Sequence, residues 1–293
     1  MIYNLNYDTI CLGGGGPNGA SFISILEVLS QKKIINLKKI NKFVGTSIGS
    51  MISLFLVLGY KINELKEFCL NFNFQKLEQE ADCDIFFNSY GLNDGKKFII
   101  LLNTFIYQKY KKNDLTFKEL YNLTNKKLYI IATNYTKAEE IVFNEETTPD
   151  LLLTKAIRMS ISLPILFTPI YYKNDIIIDG GFSNNLGLNY CNSKTTLSIT
   201  AYSEENKNPE NIINYLFGLK RIIEKLVNVK YLNCEFKKNM INVKSPDPGF
   251  KISPSKENIL KLVENGHKIA LNFINNKPEI FCRDIINKII SEF

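Results

Sequence analysis

Ile40-Asn-Lys-Phe-Val-Gly-Thr-Ser-Ile-Gly-Ser-Met-Ile-Ser-Leu-Phe-Leu-Val-Leu58 changes character halfway along its length. Ile40 to Val44 reads as a short buried strand, Gly45-Thr-Ser-Ile-Gly49 as a turn, and Ser50 to Leu58 as a helix apolar almost all round. A helix with that pattern must be covered on most of its surface, and lying against a sheet achieves this. The preceding stretch follows the same plan: Tyr7 to Leu12 is strand-like, Gly13 to Gly19 is a turn, and Ala20 to Lys33 carries Phe22, Ile25, Leu26 and Leu29 at helical spacing. Two strand-turn-helix units in succession predict an α/β protein, a three-layer α/β/α sandwich around a mostly parallel sheet.

The remainder of the chain continues the alternation. Helices are expected at Glu64 to Asn71, Phe86 to Lys112, from the capping box Thr116-Phe-Lys-Glu119, and at Leu151 to Met159, which stops before Pro164 and Pro169. Lys127 to Thr133 and Glu140 to Phe143 read as an antiparallel pair, and Asp175 to Ile178, Thr195 to Ala201 and Met240 to Val243 as further strands. Ile212 to Val227 is an amphipathic helix, and Lys256 to Phe293 is mostly helical. With no internal repeat and no Pro/Gly/Ser linker, the 293 residues read as one domain spanning 1–293.

Composition narrows the function classes. Hydrophobic residues make up 45% and charged residues 22%, which excludes a disordered, collagen-like or coiled-coil chain. Six cysteines without a C-x-x-C pair indicate neither a zinc site nor a disulfide framework. The net charge of +7 favours anionic partners. The basic clusters Lys32-Lys33, Lys38-Lys39, Lys109 to Lys112, Lys220 to Lys230 and Lys237-Lys238 read as solvated faces, with a lipid-facing role as the alternative. No recognition motif accompanies them, so nucleic acid is not an expected partner. There is no secretory signal and no apolar run near the ~18 residues needed to span a bilayer, so an intracellular protein, soluble or peripheral to membranes, is expected.

Three motifs bear chemistry. Gly45-x-Ser47-x-Gly49, between a strand and a buried helix, fits a nucleophile elbow, where glycines permit the strained turn and the helix N-terminus favours developing negative charge. An ordinary turn with a capping serine has the same local pattern. Gly13-Gly-Gly-Gly-Pro-Asn-Gly19 reads as an oxyanion hole built from the backbone N–H groups of Gly14, Gly15 and Gly16, or as a purely structural turn. Gly14-x-Gly16-x-x-Gly19 also matches a dinucleotide fingerprint, but the next strand ends in Val44-Gly-Thr-Ser47 and lacks the acidic ribose contact. The third motif is Ile176-Ile-Ile-Asp-Gly-Gly-Phe182, which places Asp179 at the end of an apolar strand. There Gly180 and Gly181 let substrate approach, unless the segment is a simple Asp-Gly hairpin. The single histidine, His267, lies in a helical pattern and does not suit a Ser-His-Asp triad, so Asp179 remains as the base for Ser47. The aromatic run Phe98 to Tyr110, with Phe86-Phe87 and Tyr90, fits core or pocket lining equally well.

In this order the glycine turn, G-x-S-x-G and Asp-Gly-Gly resemble the patatin-like phospholipase family. The resemblance extends to Thr116-Phe-Lys-Glu-Leu120, Ile130-Ile-Ala-Thr-Asn134, Ala156-Ile-Arg-Met-Ser160-Ile-Ser-Leu-Pro164-Ile-Leu-Phe167-Thr-Pro169 and Gly266-His-Lys-Ile-Ala270, covering roughly residues 7–275. It implies a lipid acyl hydrolase of the phospholipase A or lysophospholipase type, acting on lipid at a membrane surface without metal or cofactor. By the same resemblance Ser47 is the nucleophile, Asp179 the base and Gly14 to Gly16 the oxyanion hole, with Gly19, Gly45, Gly49, Gly180 and Gly181 shaping the turns. An acyltransferase would use the same dyad. Where the family's glycine turn usually carries Arg or Lys, this chain has Asn18, which motivates a second reading as a catalytically weak lipid-binding or regulatory protein.

Overall fold

The computed structural model describes residues 6–77, 86, 88–202, 208–209, 212–228, 235–245 and 254–277. Phe87, Lys230, Cys83, Cys234, Cys282 and the helical tail expected after Lys277 lie outside these residues. Both strand-turn-helix units form as expected: β1 (Thr9–Leu12) leads to α1 (Gly19–Gln31), and β2 (Lys42–Thr46) to α2 (Ile48–Val57). Then follow α3 (Ile62–Asn71), β3 (Gly91–Asn93), α4 (Lys96–Tyr110) and α5 (Phe117–Thr124). The middle of the chain supplies β4 (Lys127–Asn134), β5 (Glu139–Phe143), α6 (Leu153–Ser160), β6 (Ile165–Phe167), β7 (Ile170–Tyr172) and β8 (Asp175–Asp179). The last elements are β9 (Thr196–Tyr202), α7 (Ile212–Asn228), β10 (Met240–Lys244) and α8 (Lys256–Asn275).

The central sheet is mostly parallel, in the order β10-β9-β1-β2-β4-β8-β7, with β5 also paired to β4. From β10 to β4 every pairing is parallel, whereas β5, β8 and β7 join antiparallel. Side chains alternate across it as the period of two requires. Ile10, Leu12, Phe43, Leu128, Ile130, Leu197 and Ile199 enter the main core with the helices, while Cys11, Val44, Tyr129 and Ile131 face the other side. That second face is covered by Leu186, Leu188 and Tyr190, around a short 3-10 turn, and by Phe236. The sandwich is therefore thick on one side and thin on the other among the described residues. Helix α2 is buried from Gly49 to Val57, as its apolar sequence demands.

Two expectations need correction. Phe86 to Lys112 is not one helix, because Gly91–Asn93 is a strand paired with β6 and α4 starts only at Lys96. The break is chemical: Asn93 Oδ1 accepts the Gly95 N–H at 2.7 Å, and Gly95 takes the left-handed φ of 72°. The short strands β6 and β7, flanking Pro169, were not visible in the hydrophobic pattern, since three residues carry no usable period.

Helix α8 lies across α1, with the Ser21 hydroxyl donating to Leu262 O at 2.7 Å. Gly266 allows this approach, because a Cβ there would run into the Ser21 carbonyl. Gly266→Val should therefore destabilise the protein by about 1–3 kcal/mol through overpacking. A denaturation midpoint equal to that of wild type would show that the two helices separate freely.

Candidate active site

One strand brings the two key side chains together. β2 runs parallel along β4 and its last residue, Thr46, stands opposite Ile131. β8 occupies the same edge of β4 in the opposite direction, with its last residue, Asp179, opposite Ala132, while β5 takes the other edge. The carboxyl ends of β2 and β8 thus meet head-on against adjacent residues of β4. The sequence expectation placed Asp179 at the carboxyl end of an apolar strand, where active groups of α/β sheets gather. Its strand is antiparallel, and the two residues meet because β8 ends where β2 stops.

Ser47 sits at the strand-to-helix turn with φ 53° and ψ −126°, a strained conformation for a residue bearing a Cβ. The turn is too tight for side chains on either flank: a Cβ at Gly45 would lie 2.5 Å from Ser50 Cα, and one at Gly49 would collide with the Leu12 carbonyl. Ser47 occupies the N-cap position of α2, yet its hydroxyl makes no capping bond. It donates instead to Asp179 Oδ2 at 2.6 Å. The Ser47 amide donates to Ser160 Oγ at 2.8 Å, and Ser160 in turn donates to Ile131 O at 2.6 Å. Ser160 on α6 therefore pins the elbow to β4.

Asp179 is 3% exposed and divides its two oxygens between separate tasks. Oδ1 accepts the Gly181 N–H at 2.8 Å, capping a 3-10 turn over Gly180–Phe182, and Oδ2 accepts the Ser47 hydroxyl. This turn replaces the hairpin that an Asp-Gly pair permits. The Asp179 backbone is also fixed, since its N–H donates to Ser162 O at 2.9 Å and its carbonyl accepts from Thr133 Oγ1 at 2.9 Å. Ser162 is held by Arg158, whose guanidinium donates to Ser162 Oγ at 2.6 Å and to Thr168 O at 2.8 Å. Burial lowers the Arg158 pKa to about 10, against the pull of Asp94, and the side chain acts as a rivet under the loop before β6. Ser160 and Arg158 both lie in a stretch that carries the family resemblance, but the sequence does not reveal their supporting roles, because Ser160 acts on Ser47 and Ile131, remote in the chain, and Arg158 acts through a buried contact with Ser162 and Thr168.

Burial raises the Asp179 pKa above the ordinary carboxylate value, and Glu224 adds to this. Lys220, the Ser47 hydroxyl and the Gly181 amide act in the opposite direction. Lys220 and Glu224 are one turn apart on α7 and pair at 2.5 Å. Burial opposes the Lys220 charge, yet Glu224 and Asp179 together hold its pKa above normal. The sequence reading assigned Lys220 to a solvated basic face. Only 17% of its side chain is exposed, and it lines the cavity beside Asp179.

The glycine turn packs directly on the serine: a Cβ on Gly14 would stand 3.3 Å from Ser47 Cβ. The Gly14 N–H already donates to Asn185 Oδ1 at 2.9 Å. The Gly15 and Gly16 N–H groups have no acceptor among the described residues. Asn18 is buried beneath the turn and donates to Gly15 O at 2.9 Å. Gly14 to Gly16, Ser47 and Asp179 form one part of the wall of a cavity of about 150 Å³. The rest is largely apolar and includes Ile23, Met51, Phe55, Leu65, Phe68 and Phe98. The aromatic run on α4 divides accordingly, with Phe98 on the cavity and Phe105 in the core. His267 is exposed on α8, and no cluster of metal-ligating side chains occurs among the described residues.

Comparison with known proteins places the chain in a family. The model of the patatin-like phospholipase family matches residues 10–191. A protein of Invertebrate iridescent virus 6 described as the probable lipid hydrolase 463L is 35% identical over 198 residues, which are 64% of this chain and 66% of that protein. VipD from Legionella pneumophila shares the fold with a TM-score of 0.69 at 17% identity, over 92% of this chain and 66% of VipD. The type III effector ExoU of Pseudomonas aeruginosa follows at a TM-score of 0.52 and 14% identity, over 91% of this chain and 52% of its own. The chain belongs to the patatin-like phospholipase family. It spans about two thirds of the viral relative and of VipD, and about half of ExoU.

The charges around Asp179 carry a signed prediction. Asp179 accepts a proton only when ionised, so Ser47 reactivity toward an organophosphorus probe should fall on the acid side through a pKa above the ordinary aspartate range. Lys220→Met removes the cation that favours the carboxylate and should move that limb to higher pH. Glu224→Gln should move it to lower pH. Two variants with superimposable profiles would mean that α7 does not act on the base.

Proposed function

We propose that this chain is a serine-dependent lipid acyl hydrolase of the phospholipase A or lysophospholipase type, working through a Ser47–Asp179 dyad. The observation that carries the reading is the 2.6 Å bond from the Ser47 hydroxyl to a buried carboxylate on the wall of an apolar cavity. In the first step Oγ attacks the ester carbonyl carbon while Asp179 Oδ2 takes its proton. The carbonyl oxygen becomes an oxyanion beside the glycine turn. We assign its stabilisation to the Gly15 and Gly16 amides and the N-terminus of α2, and a holding role to Gly14 through its bond to Asn185. Collapse of the intermediate expels the alcohol, which recovers the proton from Asp179 and leaves an acyl-serine. Water, deprotonated by Asp179, then attacks the acyl carbon, and the fatty acid departs with Ser47 reprotonated.

The apolar cavity fits the acyl chain, whose transfer from water is favourable and whose presence excludes water from the dyad. Asn18 bears on the strength of the oxyanion site. It replaces the basic residue usual in the family and donates to a backbone carbonyl of the turn, so the turn itself supplies amides and no side-chain cation at this position. No described helix is long and apolar enough to cross a membrane. Lipid must therefore reach Ser47 from a surface to which the protein docks or from a dispersed monomer. An alcohol in place of water would give acyl transfer through the same residues.

Labelling with a fluorophosphonate probe tests the dyad directly. Wild type should gain one probe mass at Ser47, Ser47→Ala none, and Asp179→Asn should label about 10²–10⁴-fold more slowly. Hydrolysis of a short-chain ester should fall in parallel, and a chelator should leave wild-type turnover unchanged. A folded wild-type protein that neither labels nor hydrolyses would overturn the enzyme reading in favour of a lipid-binding role.

A further inference from the structure

Helix α7 turns a stripe of large apolar side chains to solvent. Ile212, Tyr215, Leu219, Ile222, Ile223 and Leu226 recur at i, i+3, i+7, i+10, i+11 and i+14, which confines them to an arc of roughly 100° on the helix. All six face solvent, with exposures from 39% for Ile223 to 69% for Leu226. Lys220 and Glu224, the residues an ordinary surface helix would turn to water, point inward and line the cavity beside Asp179. The helix is held on the side of the Asp179–Gly180–Gly181 turn, since a Cβ on Gly181 would lie 3.2 Å from Glu224 Oε1.

From this arrangement we infer that the outer stripe of α7 is a lipid-docking face, which seats the helix in the interfacial layer of an anionic phospholipid surface. Charge complementarity supports that occupant: the chain carries a net charge of +7, and the exposed Lys225 flanks the apolar stripe on the same helix. A basic helix with one broad apolar stripe is the pattern that lies in a headgroup boundary. Position supports it as well. The inner side of this helix walls the cavity that holds Ser47, so docking places the apolar cavity beside the surface from which a lipid would leave. The preference for a lipid surface over a protein partner rests on the hydrolase reading given above. The docking residues lie outside the cavity and are not part of the dyad.

Flotation with vesicles tests the inference. Wild type should bind vesicles of phosphatidylcholine containing a third phosphatidylglycerol. An Ile222→Asp/Leu226→Asp double variant should bind at least about tenfold more weakly, because two large apolar contacts are replaced by charges repelled from the surface. Leu123→Asp, at an exposed apolar position on α5, should bind like wild type. Fluorophosphonate labelling of Ser47 in vesicle-free solution should be the same in all three, which also reports that each is folded. Equal vesicle binding by wild type and the double variant would overturn the docking face, as would wild type that binds no vesicle. A wild-type dimer that the double variant converts to monomer, without a change in vesicle binding, would instead make the stripe an interface between copies. Loss of labelling at Ser47 in wild type, with the vesicle difference intact, would sink the hydrolase reading and leave the docking face standing.

Discussion

Everything at the site depends on two strand ends meeting at adjacent residues of β4. Thr46 pairs at Ile131 and Asp179 at Ala132, so the residue after Thr46 necessarily lands beside the Asp179 side chain. The Ile131 carbonyl is the fixed point of this junction. It accepts the Ser160 hydroxyl that holds the Ser47 amide, and Gly180 packs so closely on it that a Cβ there would stand 2.5 Å away. A strained elbow and a buried carboxylate are each costly alone. Anchored to one rigid strand, they offset part of that cost through a short hydrogen bond between them.

Buried polar side chains support Asp179 from behind. Arg158 holds Ser162, Ser162 O accepts the Asp179 amide, and Thr133 donates to the Asp179 carbonyl, so the backbone of Asp179 is held on both sides while its carboxylate is bound by Ser47 and Gly181. Such fixed dipoles need no reorganisation during reaction, which is the usual source of electrostatic catalysis. Around Asp179, burial and Glu224 favour the protonated form while Lys220 favours the charged form. The balance leaves the Asp179 pKa above the ordinary carboxylate value, and in the proposed mechanism a more basic carboxylate draws the serine proton more effectively.

Helix α7 links this electrostatic balance to the outside of the molecule. One side presents a Lys–Glu pair to the base, and the other presents aliphatic and aromatic residues to solvent. Its sequence shows only that it is amphipathic. Glu224 lies close to Gly181 and Lys220 lines the cavity beside Asp179, contacts that helical periodicity does not encode.

The local features were legible in the sequence because each is a short-range backbone constraint. Gly45 and Gly49 around Ser47 announce a turn that side chains cannot make, the all-apolar run after it announces a buried helix, and the alternating units announce a largely parallel sheet. Strands β3, β6 and β7 escaped because three residues fix no period, and the break before α4 escaped because it depends on Asn93 reaching back to the Gly95 amide. Resemblance to a family paired Ser47 with Asp179, but nothing in the spacing told that β8 reverses direction. Nor did it tell that the Gly14 amide is taken by Asn185, or that Lys220 turns inward. The sequence by itself determined the elbow and the glycine turn, since these follow from the conformations that individual residues allow, and resemblance to a family nominated Ser47 and Asp179 as the proposed dyad. Only the tertiary structure decided their contact, their basicity and the orientation of α7. Those properties arise where segments more than 100 residues apart share one strand edge and one low-dielectric cavity.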